Sequence, residues 1–199
     1  MTQAIRARGV TEIPEPPLGR LLFANTGMAW LWLIVRLYVG YQWIDAARDK
    51  LFGDGATAWV GPRAGAALKG FSLAATQKAG GAHPLVQGWY ADFLTGFVIP
   101  HARAFSYAVS YGELLVGIAL VIGAFTGIAA FSGAFMNMNY MLAGTTSTNP
   151  ILMILALLLI LAWRIAGYYG LDAVLLRALG TPWQAGPIFR RKPAQPASA

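Results

Sequence analysis

Residues 104–171 read AFSYAVSYGELLVGIALVIGAFTGIAAFSGAFMNMNYMLAGTTSTNPILMILALLLILAWRIAGYYGL and carry only two charged side chains, Glu113 and Arg164. An apolar run of about 20 residues can cross the hydrocarbon core of a bilayer as a helix. This stretch holds three such runs end to end, divided at Thr126-Gly127 and at Thr145 to Pro150. The pattern predicts helices over about 104–124, 128–144 and 150–169, with Pro150 at a first helical position where its missing N–H had no partner anyway. The connections suit only antiparallel neighbours. Upstream, Leu21 to Ile44 contains one charge, Arg36, and predicts a first helix over about 26–45. Trp30, Trp32 and Trp43 lie near its ends, as tryptophans do at membrane interfaces. The predicted fold class is all-α: an integral membrane four-helix up-down bundle.

Composition narrows the function classes. Of 199 residues, 57% are hydrophobic and 12% charged. Soluble domains carry about 25% charged residues, so a soluble enzyme and a disordered chain are both excluded. One domain is expected over 21–175, between tails at 1–20 and 176–199. There are no cysteines, which removes disulfides, thiolate nucleophiles and iron–sulfur clusters. The two histidines, His83 and His101, both fall between predicted helices, so no haem can be held by histidines of two spans and no metal is expected. The net charge of +7 comes from basic residues flanking apolar segments. That fits a membrane orientation signal better than nucleic-acid binding.

Residues 46–103 form a long connection with its own pattern. Leu85, Val86, Trp89, Tyr90, Phe93, Leu94, Phe97 and Val98 recur at helical spacing between Pro84 and Pro100, and a weaker stripe runs through Ala64, Ala67, Leu68, Phe71 and Ala75. Such stripes suit amphipathic interfacial helices, here a cap over one end of the bundle, between helices one and two. Arg6, Arg8, Arg20, Arg177, Arg190, Arg191 and Lys192 lie on the side of the termini, which predicts cytoplasmic termini.

A charge near the bilayer centre costs about 2.5–3.5 kcal/mol on insertion scales and needs a reason. Arg36 and Glu113 both fall about 14–15 Å into their predicted helices, within reach of a mutual salt bridge. Arg164 is placed nearer the terminal side, leaving a surplus of one positive charge. Trp32, Arg36, Gly40 and Trp43 share a stripe on helix one; Ser106, Ser110, Glu113 and Gly117 share a face of helix two; Gly133, Asn137, Met141 and Gly144 share a face of helix three. Small residues permit close helix approach, and Ser or Asn bonds across helices. The cluster reads either as a pin for helix register, as a site for a polar head group such as a quinone carbonyl, an anionic lipid or a small oxyanion, or as a proton path. Asp45, Asp49 and Lys50 read as a charged helix end, and His83 and His101 as interfacial groups.

Arg36, Gly40, Trp43 and Lys50-Leu51, followed by Gly112-Glu113-Leu114, Gly117 and Gly123, resemble the DoxX family of small membrane proteins. The long insert ending in Pro100-His101-Ala102 is closer to the DoxD branch, which includes the large membrane subunit of thiosulfate:quinone oxidoreductase. The resemblance covers roughly residues 26–172. It implies a prokaryotic cytoplasmic-membrane protein that passes electrons from thiosulfate to a quinone, with Arg36 and Glu113 as catalytic residues. Arg36 would stabilise the anion or the developing quinol oxygen, and Glu113 would relay a proton. Lys50 and His101 would attract the anion, with Trp32, Trp43, Asn137 and Arg164 completing a quinone or anion site. The resemblance also implies a second, smaller subunit as partner, besides membrane lipids. The competing expectation is a non-catalytic accessory subunit of a respiratory or photosynthetic membrane complex; a small transporter is a third.

Overall fold

The computed structural model describes residues 14–180, and within them every regular element is helical. The order is α1 (Pro17–Ala24), a 3-10 turn (Thr26–Met28), α2 (Ala29–Phe52), α3 (Ala56–Trp59), α4 (Ala66–Gln77), α5 (Gly88–Phe93) running into a π turn (Leu94–Val98), α6 (Ala102–Ile122), α7 (Thr126–Leu142), α8 (Asn149–Leu161), α9 (Trp163–Ala166) and α10 (Asp172–Leu179). Helix α2 packs on α6, α6 on α7, α7 on α8 and α8 back on α2. Both described ends of the chain meet at one end of these helices, where Arg164 pairs with Glu15 and α1 lies against α9. Of the orientation residues, Arg20 and Arg177 are described; Arg6, Arg8, Arg190, Arg191 and Lys192 lie outside the described residues, as do most of the two tails.

One helix, Ala102–Ile122, is long and apolar enough by itself to cross a membrane. α1 and the Thr26–Phe52 segment pass the same test together but are bent by 60°, and α8 is a shorter apolar helix. The core is mostly apolar but also takes in polar side chains, and large apolar side chains stand on the surface. Arg36, Ser106, Ser110, Glu113, Thr126 and Asn137 are buried, whereas Ile34, Leu115, Ile128, Phe131, Ile151 and Ile154 each expose more than half their surface.

Two boundaries differ from the sequence expectation. α2 runs on to Phe52, so Lys50 belongs to the helix rather than to the cap. The fourth helix stops at Leu161; after α9, glycines Gly167 and Gly170 turn the chain beneath the end of α6. Hydropathy registers neither event, since both leave the apolar count almost unchanged.

The cap is packed rather than loose. Leu68, Ala75, Val86, Tyr90, Leu94 and Val98 form a second core that also takes in Ala143 from the end of α7. Polar bonds tie it down: Ser106 Oγ donates to the Trp59 carbonyl at 2.6 Å, Tyr107 Oη to the Val60 carbonyl at 2.9 Å, and Lys78 Nζ to the Gly144 carbonyl at 3.1 Å. The helix expected from Pro84 starts only at Gly88 and loosens into the π turn from Leu94.

Helices α2 and α6 meet backbone to backbone. A Cβ on Gly117 would lie 2.8 Å from the Ile44 nitrogen and 2.9 Å from the Gly40 carbonyl oxygen. Neither neighbour is a flexible side chain that can move aside. Gly117→Ala is therefore expected to lower stability by about 1–3 kcal/mol, the usual cost of overpacking, seen as a reduced thermal unfolding midpoint in detergent. An unchanged midpoint would show that the helices are not held at this distance.

Candidate functional site

The three charges expected inside the bundle behave differently from one another. Arg36 and Glu113 are each 1% exposed, but they do not pair. Arg36 lies at the α6–α7 turn, where its Nη1 donates to the carbonyls of Leu120 at 2.8 Å and Val121 at 3.2 Å, and its Nη2 to the carbonyl of Tyr169 at 3.2 Å. The remaining carbonyls at this helix end are taken by backbone: Leu171 N donates to Ile122 O, and Asp172 N to Gly123 O. A helix end leaves such carbonyls without intrahelical partners, so Arg36 serves as a cap for α6. Gly123 makes the turn with a φ of +69°, and a Cβ there would run into the Arg36 guanidinium.

Arg164 is not in the interior. It pairs with Glu15 at 2.9 Å, both partly exposed. Its place among the buried charges is taken by Asp172, 3% exposed, whose carboxylate accepts from the backbone nitrogens of Phe125 at 2.6 Å and Thr126 at 2.9 Å. Asp172 thereby caps the start of α7 and holds Phe125 at a φ of +47°. Sequence reading passed over it because it lies one residue beyond the apolar run. Among the described residues the interior charges balance rather than leaving a surplus cation: Arg36 and Lys50 stand against Glu113 and Asp172.

Glu113 has a different partner. Lys50 Nζ donates to its Oε2 at 2.7 Å and Oε1 at 3.0 Å, and Tyr140 Oη donates to Oε1 at 2.6 Å. The Lys50 ammonium also reaches the Ala46 carbonyl at 3.3 Å and lies 5.2 Å from the centre of the Trp59 ring. Above it opens a cleft of about 610 Å³ lined by Asp49, Lys50, Gly53, Asp54, Gly55 and Trp59.

On the other side of Tyr140 is an apolar cavity of about 180 Å³ between cap and bundle. Its walls are Leu68, Phe71 and Ser72 from α4, Tyr90, Phe93, Leu94 and Val98 from α5 and the π turn, Phe105 and Val109 from α6, and Phe135, Met136, Asn139 and Tyr140 from α7. Four polar residues stand in this wall: Ser72, Tyr90, Asn139 and Tyr140. Ser72 Oγ is fully buried with no hydrogen-bond partner among the described residues. Tyr140 carries the link to Glu113. Tyr90 Oη donates to Asn139 at 3.0–3.1 Å, and burial pushes its phenol pKa up, so it stays a protonated donor. Asn139 is thus a contact between α7 and the cap. Ser72 and Tyr140 gave no sequence signal: the first sits in a weak stripe, the second in an apolar run.

A third opening lies on the outer face of the cap. Arg63, Lys69 and Arg103 line a cavity of about 370 Å³ together with Pro62, Ala64, Gly65, Ala66, Ile99, Pro100 and Ala102. Leu68 and Val98 line the apolar cavity, whereas their chain neighbours Lys69 and Ile99 line this basic one, so one layer of residues separates the two. His101 lies beside it, exposed, its Nδ1 2.9 Å from the Phe97 carbonyl.

The other expected site residues are placed as follows. Trp32 Nε1 donates to the Leu22 carbonyl at 2.7 Å and its ring stacks on Phe23, so it ties α1 to α2. Trp43 is buried beside Tyr140, their ring centres 6.5 Å apart. Asn137 is completely buried in α7, one turn from Tyr140.

Removing one member of a buried ion pair strands the other charge and costs about 3–5 kcal/mol. Lys50→Met is expected to destabilise by that order, because Glu113 is 1% exposed. Lys50→Met combined with Glu113→Gln should recover most of the loss, as read from thermal unfolding of the single and double variants. Additive losses would show that the two groups do not interact.

No family of known proteins, no curated protein and no solved structure matches this chain.

Proposed function

We propose that this chain is an integral membrane subunit of the DoxX/DoxD kind that reduces a quinone with electrons from an oxyanion donor, thiosulfate by resemblance. The single observation that carries the reading is the aromatic cavity bounded by Ser72 on one side and the Tyr140–Glu113–Lys50 cluster on the other. An apolar cavity of about 150 Å³ accepts a benzene ring, so about 180 Å³ suits one substituted ring. The unpartnered Ser72 hydroxyl is a donor for a ring carbonyl. Buried polar groups are nearly always paired, and a ring carbonyl supplies the missing partner.

Membrane residence is supported by the band of exposed Ile, Leu and Phe around α2, α6, α7 and α8 and by the buried polar interior. In this setting Arg36 is a structural cap and not a ligand for substrate. The proton route runs through Glu113 instead, since Tyr140 lines the cavity while donating to the carboxylate that Lys50 connects to the outer cleft.

With the buried charges balanced, no cation among the described residues is free inside the bundle to hold a dianion. The basic cavity at Arg63, Lys69 and Arg103 is the better place for the donor, one residue layer from the quinone cavity. Two thiosulfates joining through a new S–S bond release two electrons, and the quinone takes these with two protons to give quinol.

The protein in nanodiscs is expected to bind a short-tailed benzoquinone and to reduce it with thiosulfate, yielding tetrathionate. Ser72→Phe, which fills the cavity, should abolish quinone binding. Arg63→Glu with Arg103→Glu should raise the KM for thiosulfate at least tenfold while leaving quinone binding intact. A wild-type protein that binds no quinone overturns the reading. Quinone binding without thiosulfate-dependent reduction favours an accessory subunit that holds quinone for a partner.

A further inference from the structure

Four buried polar atoms lie in one band of the bundle without a partner among the described residues: Trp43 Nε1, Ser110 Oγ, and Asn137 Nδ2 and Oδ1. Trp43 is 3% exposed; Ser110 and Asn137 are 0% exposed. Their placement is consistent across three helices. Trp43 Nε1 lies against Gly133, where a Cβ would approach it to 2.9 Å, and Asn137 is the next turn of the same face of α7. Tyr140, three residues further on, packs on the Trp43 ring and bonds Glu113. Ser110 is one turn from Glu113 on the same face of α6. The three-residue steps from Asn137 to Tyr140 and from Ser110 to Glu113 are each about 4.5 Å, and the four-residue step from Gly133 to Asn137 is about 6 Å.

We infer that these atoms hold a cluster of internal waters in contact with Glu113, forming a polar half-channel open only toward the cap. The donor set identifies the ligand. An indole N–H, a hydroxyl and a carboxamide together offer both donors and acceptors and no net charge, and the Glu113–Lys50 pair beside them is already neutral. That combination recognises a small neutral hydrogen-bonding molecule, and a buried water characteristically makes about three such bonds. A cluster of this kind needs far less room than any organic ligand.

The direction follows from what lies on either side. Toward the cap, the polar series continues through Tyr140, Glu113 and Lys50 to the open cleft at Asp49, Asp54 and Trp59. Toward the termini, Val39, Leu120 and Ala130 are fully buried and set an apolar layer between this band and the separate polar groups at Arg36 and Thr126. Protons taken up by Glu113 therefore come from the cap side. The role of the cluster as a proton source rests on the quinone reading; the site itself does not.

Exchange of tryptophan indole hydrogens in D2O tests the site without any turnover. Trp32 and Trp43 are about equally buried, at 4% and 3% exposed. Trp32 donates to a carbonyl, and Trp43 faces the inferred waters. In the intact protein in nanodiscs, the Trp43 N–H, assigned with Trp43→Phe, is expected to exchange at least tenfold faster than that of Trp32. Asn137→Leu should slow Trp43 exchange at least tenfold and leave Trp32 unchanged; Ser110→Ala is the alternative variant if Asn137→Leu does not fold. Trp43 exchanging as slowly as Trp32, or exchange insensitive to the substitution, overturns the proposal. Because no quinone or thiosulfate is present, failure of the oxidoreductase reading leaves this result unaffected.

Discussion

The contact of Gly40 with Gly117 sets the relative level of the polar groups on α2 and α6. With the two antiparallel backbones touching there, Arg36 is carried to the height of Val121, and its guanidinium finds the carbonyls that end α6. Four residues along the other way, Ile44 stands level with Glu113. Lys50 is about 9 Å beyond that level along the helix. Side chains on a helix lean toward its N-terminus, and Lys50 lies back along α2 far enough to reach both the Ala46 carbonyl and the Glu113 carboxylate. A larger residue at either glycine would separate the helices and loosen both cations from their acceptors together.

This register explains why an Arg36–Glu113 salt bridge does not form. Counting inward from predicted helix ends put both groups near one depth. The helices are offset, however, because α2 extends seven residues past its expected end toward the cap. Arg36 is eight residues, or about 12 Å, from the level of Glu113. Depth counted from an assumed boundary carries the error of that boundary, whereas a contact between two glycines fixes depth directly.

The helical character of the chain and the buried places of Glu113, Gly40, Gly117 and Asn137 were legible in the sequence, because each of these residues is an exception in an apolar run. Tyr140 and Ser72 were not legible. A tyrosine among methionines in α7 and a serine in α4 look like ordinary members of their stripes. Only the packing of the cap against α7 brings them to the same cavity. Asp172 was missed for the opposite reason: it lies among terminal charges in sequence but is drawn into the core by the unpaired N–H groups at the start of α7. Hydropathy counts charges, but burial is decided by the backbone groups those charges satisfy.

The same balance of charge bears on energetics in the proposed reaction. A buried dianion beside the neutral Lys50–Glu113 pair would lack any compensating charge and would be strongly disfavoured. On the proposed reading, a donor held in the basic cavity of the cap would avoid that cost, with Leu68 and Val98 lining the neighbouring apolar cavity. If the protons for the quinone also enter by Lys50 and Glu113, then electrons and protons arrive from the same face. No net charge crosses the bilayer in such a reaction. That is consistent with the layer of Val39, Leu120 and Ala130, fully buried, that lies between Glu113 and the Arg36 end of the bundle.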